Sequence, residues 1–153
     1  MVVGVLSGKT EKTMNETLNQ KQQALVAVAA CEAKDDQKTL ERILDDAFER
    51  GVLTVNEAKE TLSQLYAYTG FPRSLNALAS LQKVVAERRK KNRSVEVGCD
   101  ASPLPDDYDA LKQGAVVQTR MSGKPFDYAF APAVDYYLKA HLFGDIFARD
   151  VLT

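Results

Sequence analysis

One stretch constrains the fold more than any other: Gly51 to Leu78, GVLTVNEAKETLSQLYAYTGFPRSLNAL. It contains a helix whose start, apolar face and stop are all written in the residues. Thr54 and Glu57 have the spacing of a capping box, in which a hydroxyl and a carboxylate each satisfy an orphan backbone N–H. Leu53 and Ala58 are placed as a hydrophobic staple across that cap. Ala58, Leu62, Leu65, Tyr66 and Thr69 recur at three- and four-residue steps, one face of a helix. Gly70 can take the left-handed conformation that ends a helix, and Pro72 cannot continue one. A second helix is expected from about Ser74, with Leu75, Leu78, Leu81 and Val85 on one face. The elbow Gly70-Phe71-Pro72-Arg73 therefore sets how the two helices meet.

The flanking sequence extends the same pattern. Residues 1–14 carry no strong periodicity and are read as a flexible or partner-docked arm. Asn19 and Gln22 cap a helix containing residues 24–30, a run apolar on nearly all sides and suited to burial in a core or between subunits. Lys34-Asp35-Asp36 breaks it, and the aspartates suit the start of the next helix. Leu40, Ile43, Leu44, Ala47 and Phe48 match the amphipathic template without a miss before Gly51. The basic run ERRKKNR, residues 87–93, is read as a solvated helix C-terminus rather than a nucleic-acid patch. A formal charge of −1 supports that choice, because phosphate recognition needs net or clustered positive charge. Residues 94–105 read as a linker punctuated by Gly98, Pro103 and Pro105. Pro105-Asp106-Asp107 opens a fifth helix carrying Tyr108, Leu111 and Ala115 and ending near Gly123. Pro132 opens a sixth, with Val134, Tyr137, Leu138, His141 and Leu142 on one face and Gly144 as its stop. No period-two alternation occurs, so the expected class is all-α.

At 153 residues the chain suits one domain with a sizeable core. No signal peptide or membrane span is read, which points to a soluble cytoplasmic protein. The two cysteines have neither disulfide-framework nor metal-ligand spacing, so neither a disulfide framework nor a metal site is expected.

LYAYTGFPRSLNAL (residues 65–78) and HLFGDIFARDVL (residues 141–152) resemble the carboxymuconolactone decarboxylase family, which includes helper peroxidases of the alkyl hydroperoxide reductase D type. The likeness runs from about residue 18 to the end. It implies an antiparallel helical hairpin core and a homo-oligomer, from dimer to hexamer. On that pattern residues 15–93 form one helical repeat, 94–105 the linker and 106–153 a connecting helical segment, with the second repeat of tandem members absent. The peroxidase branch places Cys-x-x-Cys-x-x-x-His on the helix before the central pair, and those positions fall here on Asp36, Thr39 and Ile43. None can act as a redox thiol or its base. The branch's relay glutamate falls around Gln22 to Ala24, where no acid stands.

The resemblance leaves decarboxylation of a small carboxylated or lactone-type substrate, without a cofactor, as the implied activity. That chemistry needs a cation to hold a carboxylate and an acid or base to protonate carbon. His141, the only histidine, is the candidate acid or base; on an apolar face it reads equally as a packed core residue. Arg73 is the candidate carboxylate clamp, with a helix-end salt bridge as the alternative. Tyr66 and Tyr68 could line a pocket, or pack with a hydrogen-bonded tip. A non-catalytic oligomeric helical module is the competing expectation. Thiol peroxidase activity is a third and weaker one. No nucleic-acid or membrane partner is expected.

Overall fold

The computed structural model describes residues 18–153, and every regular element among them is helical. The arm assigned to residues 1–14 lies outside the described residues. Although the chain length suits one domain, the structure divides into two compact units, one ending at Gly98 and the other spanning Cys99 to Thr153. Each is held by its own packing.

The first unit contains α1 (Gln20–Lys34), α2 (Gln37–Glu49), α3 (Val55–Gln64), the single turn α4 (Tyr66–Thr69) and α5 (Phe71–Lys90). α1 pairs with α2, and α5 lies against both α2 and α3. Val28, Leu40, Leu44, Phe48, Leu53, Ala58, Leu62, Ala77, Leu81 and Val84 form the core between them. The caps are those written in the sequence. Asn19 and Gln22 close a capping box on α1, Asp36 accepts from the Thr39 N–H on α2, and Thr54 with Glu57 closes a second box on α3. Asp35, in the left-handed region, turns the chain between α1 and α2.

The start of α3 is satisfied more completely than a capping box alone would allow. The Val55 and Asn56 N–H groups donate to the carbonyls of Glu96 and Val97, each at 2.9 Å. Asn56 Nδ2 donates to the Gly98 carbonyl at 3.2 Å. Residues 96–98, at the start of the segment read as a linker, are therefore fastened to the first turn of α3. The orphan donors of a helix N-terminus need such acceptors when water is excluded.

Several sequence expectations shift in register. α5 begins at Phe71 rather than Ser74, because proline in a first turn loses only an N–H that had no intrahelical partner. It buries Ser74, Ala77, Ser80, Leu81, Val84, Val85 and Arg88, so Leu81 and Val85 of the expected face are buried and Leu78 packs on the core, while Leu75 is exposed. The Ser74 hydroxyl donates to the Leu62 carbonyl at 2.7 Å. Small residues here let α5 approach α3, so the burying face was chosen by fit rather than by leucine count. α1 buries Ala24, Val28, Cys31 and Glu32 but turns Val26 and Ala30 outward. It is one-sided within the chain, not covered all round.

The basic run is a solvated helix end at Arg89, Lys90 and Lys91, which are exposed, but not at Arg88. Arg88 is only 2% exposed. Its Nη1 donates to the Asp45 carboxylate at 2.7 Å and the Asp45 carbonyl at 3.1 Å. Nη2 donates to Glu49 at 2.7 Å and, with Nε, to the Ser94 carbonyl. All five guanidinium N–H groups thus have an acceptor. Arg93 adds a second cation on the same two carboxylates. The hydrogen bonds from Arg88 come first among the causes that hold both Asp45 and Glu49 below their ordinary carboxylate values.

The second unit pairs α6 (Ala110–Ser122) with a π-helical segment, Tyr137–Phe143, that continues from the short α7 (Pro132–Tyr136). α6 starts under the Asp109 cap, not at Pro105. Gly114 and Gly144 permit the contact. A Cβ on Gly114 would collide with the Lys139 carbonyl, and one on Gly144 with that of Ala110. The π winding, with its i→i+5 bonds, also breaks the 3.6-residue face expected of the sixth helix. Lys139 and Ala140 are buried, whereas Val134, Tyr137 and His141 face outward. Buried Lys139 is neutralised by Asp127 and Asp135.

Removing Arg88 should loosen the contact of α2 with α5 at their Asp45–Glu49 end. Arg88→Ala is expected to cost about 3 kcal/mol in urea unfolding, near the low end for breaking a buried pair because the carboxylates left behind reach water. Arg88→Lys should recover only part of that loss, since an ammonium cannot serve acceptors on three sides. Asp45 and Glu49 have lowered folded pKa values, so this contribution is present above the ordinary carboxylate range and lost as pH falls through the folded values. An Arg88→Ala midpoint equal to wild type would refute this account.

Candidate functional site

Three of the four side chains singled out in the sequence, Tyr66, Tyr68 and Arg73, lie on the elbow between α3 and α5. α3 stops at Leu65 because the chain must turn, and α4 adds a single further turn. Gly70 then takes φ +85° and ψ 155°, a combination open essentially to glycine alone. This differs from the left-handed cap expected of it, whose ψ lies near about +47°. The Tyr66 ring stacks on Phe71 with centroids 4.5 Å apart, bracing the turn from either side of Gly70. Tyr68 is 70% exposed, and Phe71, Arg73 and Leu75 are exposed beside it in sequence. The elbow is thus an outward-facing aromatic surface with one guanidinium.

Beneath it lies a residue that sequence reasoning passed over. Glu32 of α1 is 0% exposed. One of its carboxyl oxygens, Oε1, is 2.8 Å from the Thr69 hydroxyl of the elbow. The other, Oε2, is buried without a hydrogen-bond partner among the described residues. Burial pushes the carboxyl above its ordinary value, and a Thr69 proton aimed at it would pull it back. The signal was present: Glu32 stands four residues after Val28, on the stripe that the apolar run buries.

Cys31 is also buried, and burial, with the Asp36 charge second, pushes its thiol up. It is a poor thiolate at neutral pH. Asp36 serves as a helix cap and Ile43 packs on the core. His141 lies in the second unit, 48% exposed, with Nδ1 3.7 Å from Asp145 Oδ2. It is neither a packed core histidine nor a group in a closed cleft. Among the described residues no cluster of three or more His, Cys, Asp or Glu is arranged to hold a metal.

No family model and no curated protein matches this chain. The elbow combines exposed Tyr68, Phe71 and Arg73 with a buried carboxyl that touches Thr69.

The thiols give the first test. Alkylation should label exposed Cys99 at least about tenfold faster than buried Cys31. Cys31→Ser should leave no peroxide turnover to lose. Faster labelling of Cys31, or a peroxidase activity that the serine abolishes, would reverse this reading.

Proposed function

We propose that the chain is a homo-oligomeric helical module of the carboxymuconolactone decarboxylase type, whose elbow receives a small carboxylated molecule. The observation that carries the assembly is the apolar surface left open by each unit. In the first unit Val26, Tyr68, Phe71 and Leu75 are exposed. In the second, Phe126, Tyr128, Tyr136 and Tyr137 are exposed, and Phe130 is 92% so. Monomers rarely leave this many large apolar groups in water, whereas subunit contacts are enriched in aromatic rings. The antiparallel hairpin of the family is the arrangement that α3 and α5 would supply. Two free thiols are in keeping with a reducing, cytoplasmic setting.

A second reading, cofactor-free decarboxylation at the elbow, is favoured by Glu32. Loss of carbon dioxide leaves an electron pair on carbon that must take a proton, and Glu32 could supply one only through the Thr69 hydroxyl that it touches. Arg73 would hold the substrate carboxylate through its fork of donors. His141, in the second unit, is the alternative candidate for that acid.

Light scattering at micromolar concentration should give a mass of two to six protomers. Phe71→Glu or Phe130→Glu should lower it by placing a charge where apolar contact forms. A strict monomer would sink the assembly reading. On a panel of small carboxylated lactones, Arg73→Ala should weaken binding by about 1.5–3 kcal/mol, the worth of a charged hydrogen bond. His141→Gln should leave binding unchanged. A fall in turnover of ~10²–10⁴ on His141→Gln would instead make that residue the general acid or base.

A further inference from the structure

Glu32 presents a proton-counting problem that the geometry resolves. The Thr69 hydroxyl lies 2.8 Å from Glu32 Oε1 and 2.9 Å from the Leu65 carbonyl oxygen. A hydroxyl owns one proton and can donate only once. If it donates to an ionised Glu32, its approach to the Leu65 oxygen has no hydrogen between two acceptors. The carboxylate would then also bury a charged, unpartnered Oε2, which is costly in a dry site. If Glu32 carries the proton on Oε1, every short contact is served. The acid donates to Thr69 Oγ1, Thr69 donates to the Leu65 carbonyl, and Oε2 becomes a neutral carbonyl oxygen, the least costly group to leave unpaired.

We propose that Glu32 is a neutral carboxylic acid in the native protein near neutral pH, and that its proton latches the elbow by closing the chain Glu32–Thr69–Leu65. The inference concerns the same elbow as the functional reading but does not depend on what binds there. Losing the proton turns Thr69 away from the Leu65 carbonyl or strands a buried charge. Either outcome loosens α4 and with it the surface carrying Tyr66, Tyr68 and Arg73.

The surroundings offer no competing charge. On α1 and the turn after it, Asp35 is engaged by Gln37 and Asn76, Asp36 caps Thr39, and Lys34 is exposed beside the neutral Cys31 thiol. α4 contributes the Tyr66 and Tyr68 phenols, and α5 contributes exposed Arg73, with Lys83 paired to Glu41 of α2. Lys38 and Arg42 of α2 are exposed, and Lys21 of α1 binds Glu57 of α3, the helix that also carries Lys59 and Glu60. Burial comes first and the Thr69 hydroxyl second among the influences on the Glu32 carboxyl, with no charged group among them.

The direction of the pH effect follows. The folded value is raised above 4.5, so the latch contributes fully below the ordinary carboxylate range and fades as pH rises through the folded value. This is opposite in sign to the Asp45 and Glu49 contribution.

The test is carbon-detected NMR of the glutamate Cδ signals across pH, together with amide hydrogen exchange of the full chain. The Glu32 carboxyl should remain in its protonated position after the exposed glutamates have titrated. Expressed as protection factors, the Thr69 and Gly70 amides should lose up to about tenfold per pH unit between the ordinary range and the Glu32 step, the limit for one linked proton, and then level off. α2 amides should not follow. Glu32→Gln should abolish the step. Titration of Glu32 with the exposed glutamates would overturn the proposal, as would elbow protection that ignores its step or a step that persists in Glu32→Gln. If the variant fails to fold, the two wild-type measurements still decide. Failure of the assembly reading would appear separately, in light scattering.

Discussion

The first unit depends on one buried cation. Arg88 ties together three pieces of chain: the C-terminal half of α2, the end of α5, and the return at Ser94. That return sends residues 96–98 to the start of α3, where they accept the Val55 and Asn56 N–H groups. One end of α3 and one end of α5 are fixed in this way, and the elbow joins their other ends. A guanidinium suits this position because its five donors point in several directions within one plane. Lysine would offer a single point of charge.

At the elbow, backbone and side chains impose different constraints on the same few residues. Gly70 provides a reversal that a side chain would oppose, and the Tyr66–Phe71 stack sets its width. Glu32 reaches the turn from below and interacts with Thr69, the last residue of α4. A carboxyl placed in a dry core costs stability unless something compensates. Buried acids with perturbed protonation concentrate at sites of function, and here the buried carboxyl meets the turn that ends α4. The second unit follows a different logic, with backbone touching backbone at Gly114 and Gly144 and a buried lysine held between two aspartates. Its outward aromatics include Phe130, which is 92% exposed.

The sequence by itself determined the helical class, the caps and the place of the elbow. Asn19, Asp36, Thr54 and Glu57 act within four residues of themselves, so local spacing suffices to read them. Gly70 and Pro72 likewise announce a reversal without reference to distant chain. Which face of α5 is buried was decided only in three dimensions. The choice of Ser74 and Ala77 over Leu75 depends on how closely α3 can approach, and no count of leucines along one helix contains that distance. Arg88 is one of several basic residues in a row, and only Asp45 and Glu49, some forty positions away, separate it from its neighbours. His141 moved outward because the π winding changed the angle per residue, a change that depends on α6 packing against it through Gly114. Glu32 was visible as a charge on a buried stripe, but its chemistry depends on Thr69, thirty-seven residues later. Short-range hydrogen bonding is encoded in neighbouring letters; burial and partnership belong to the whole fold.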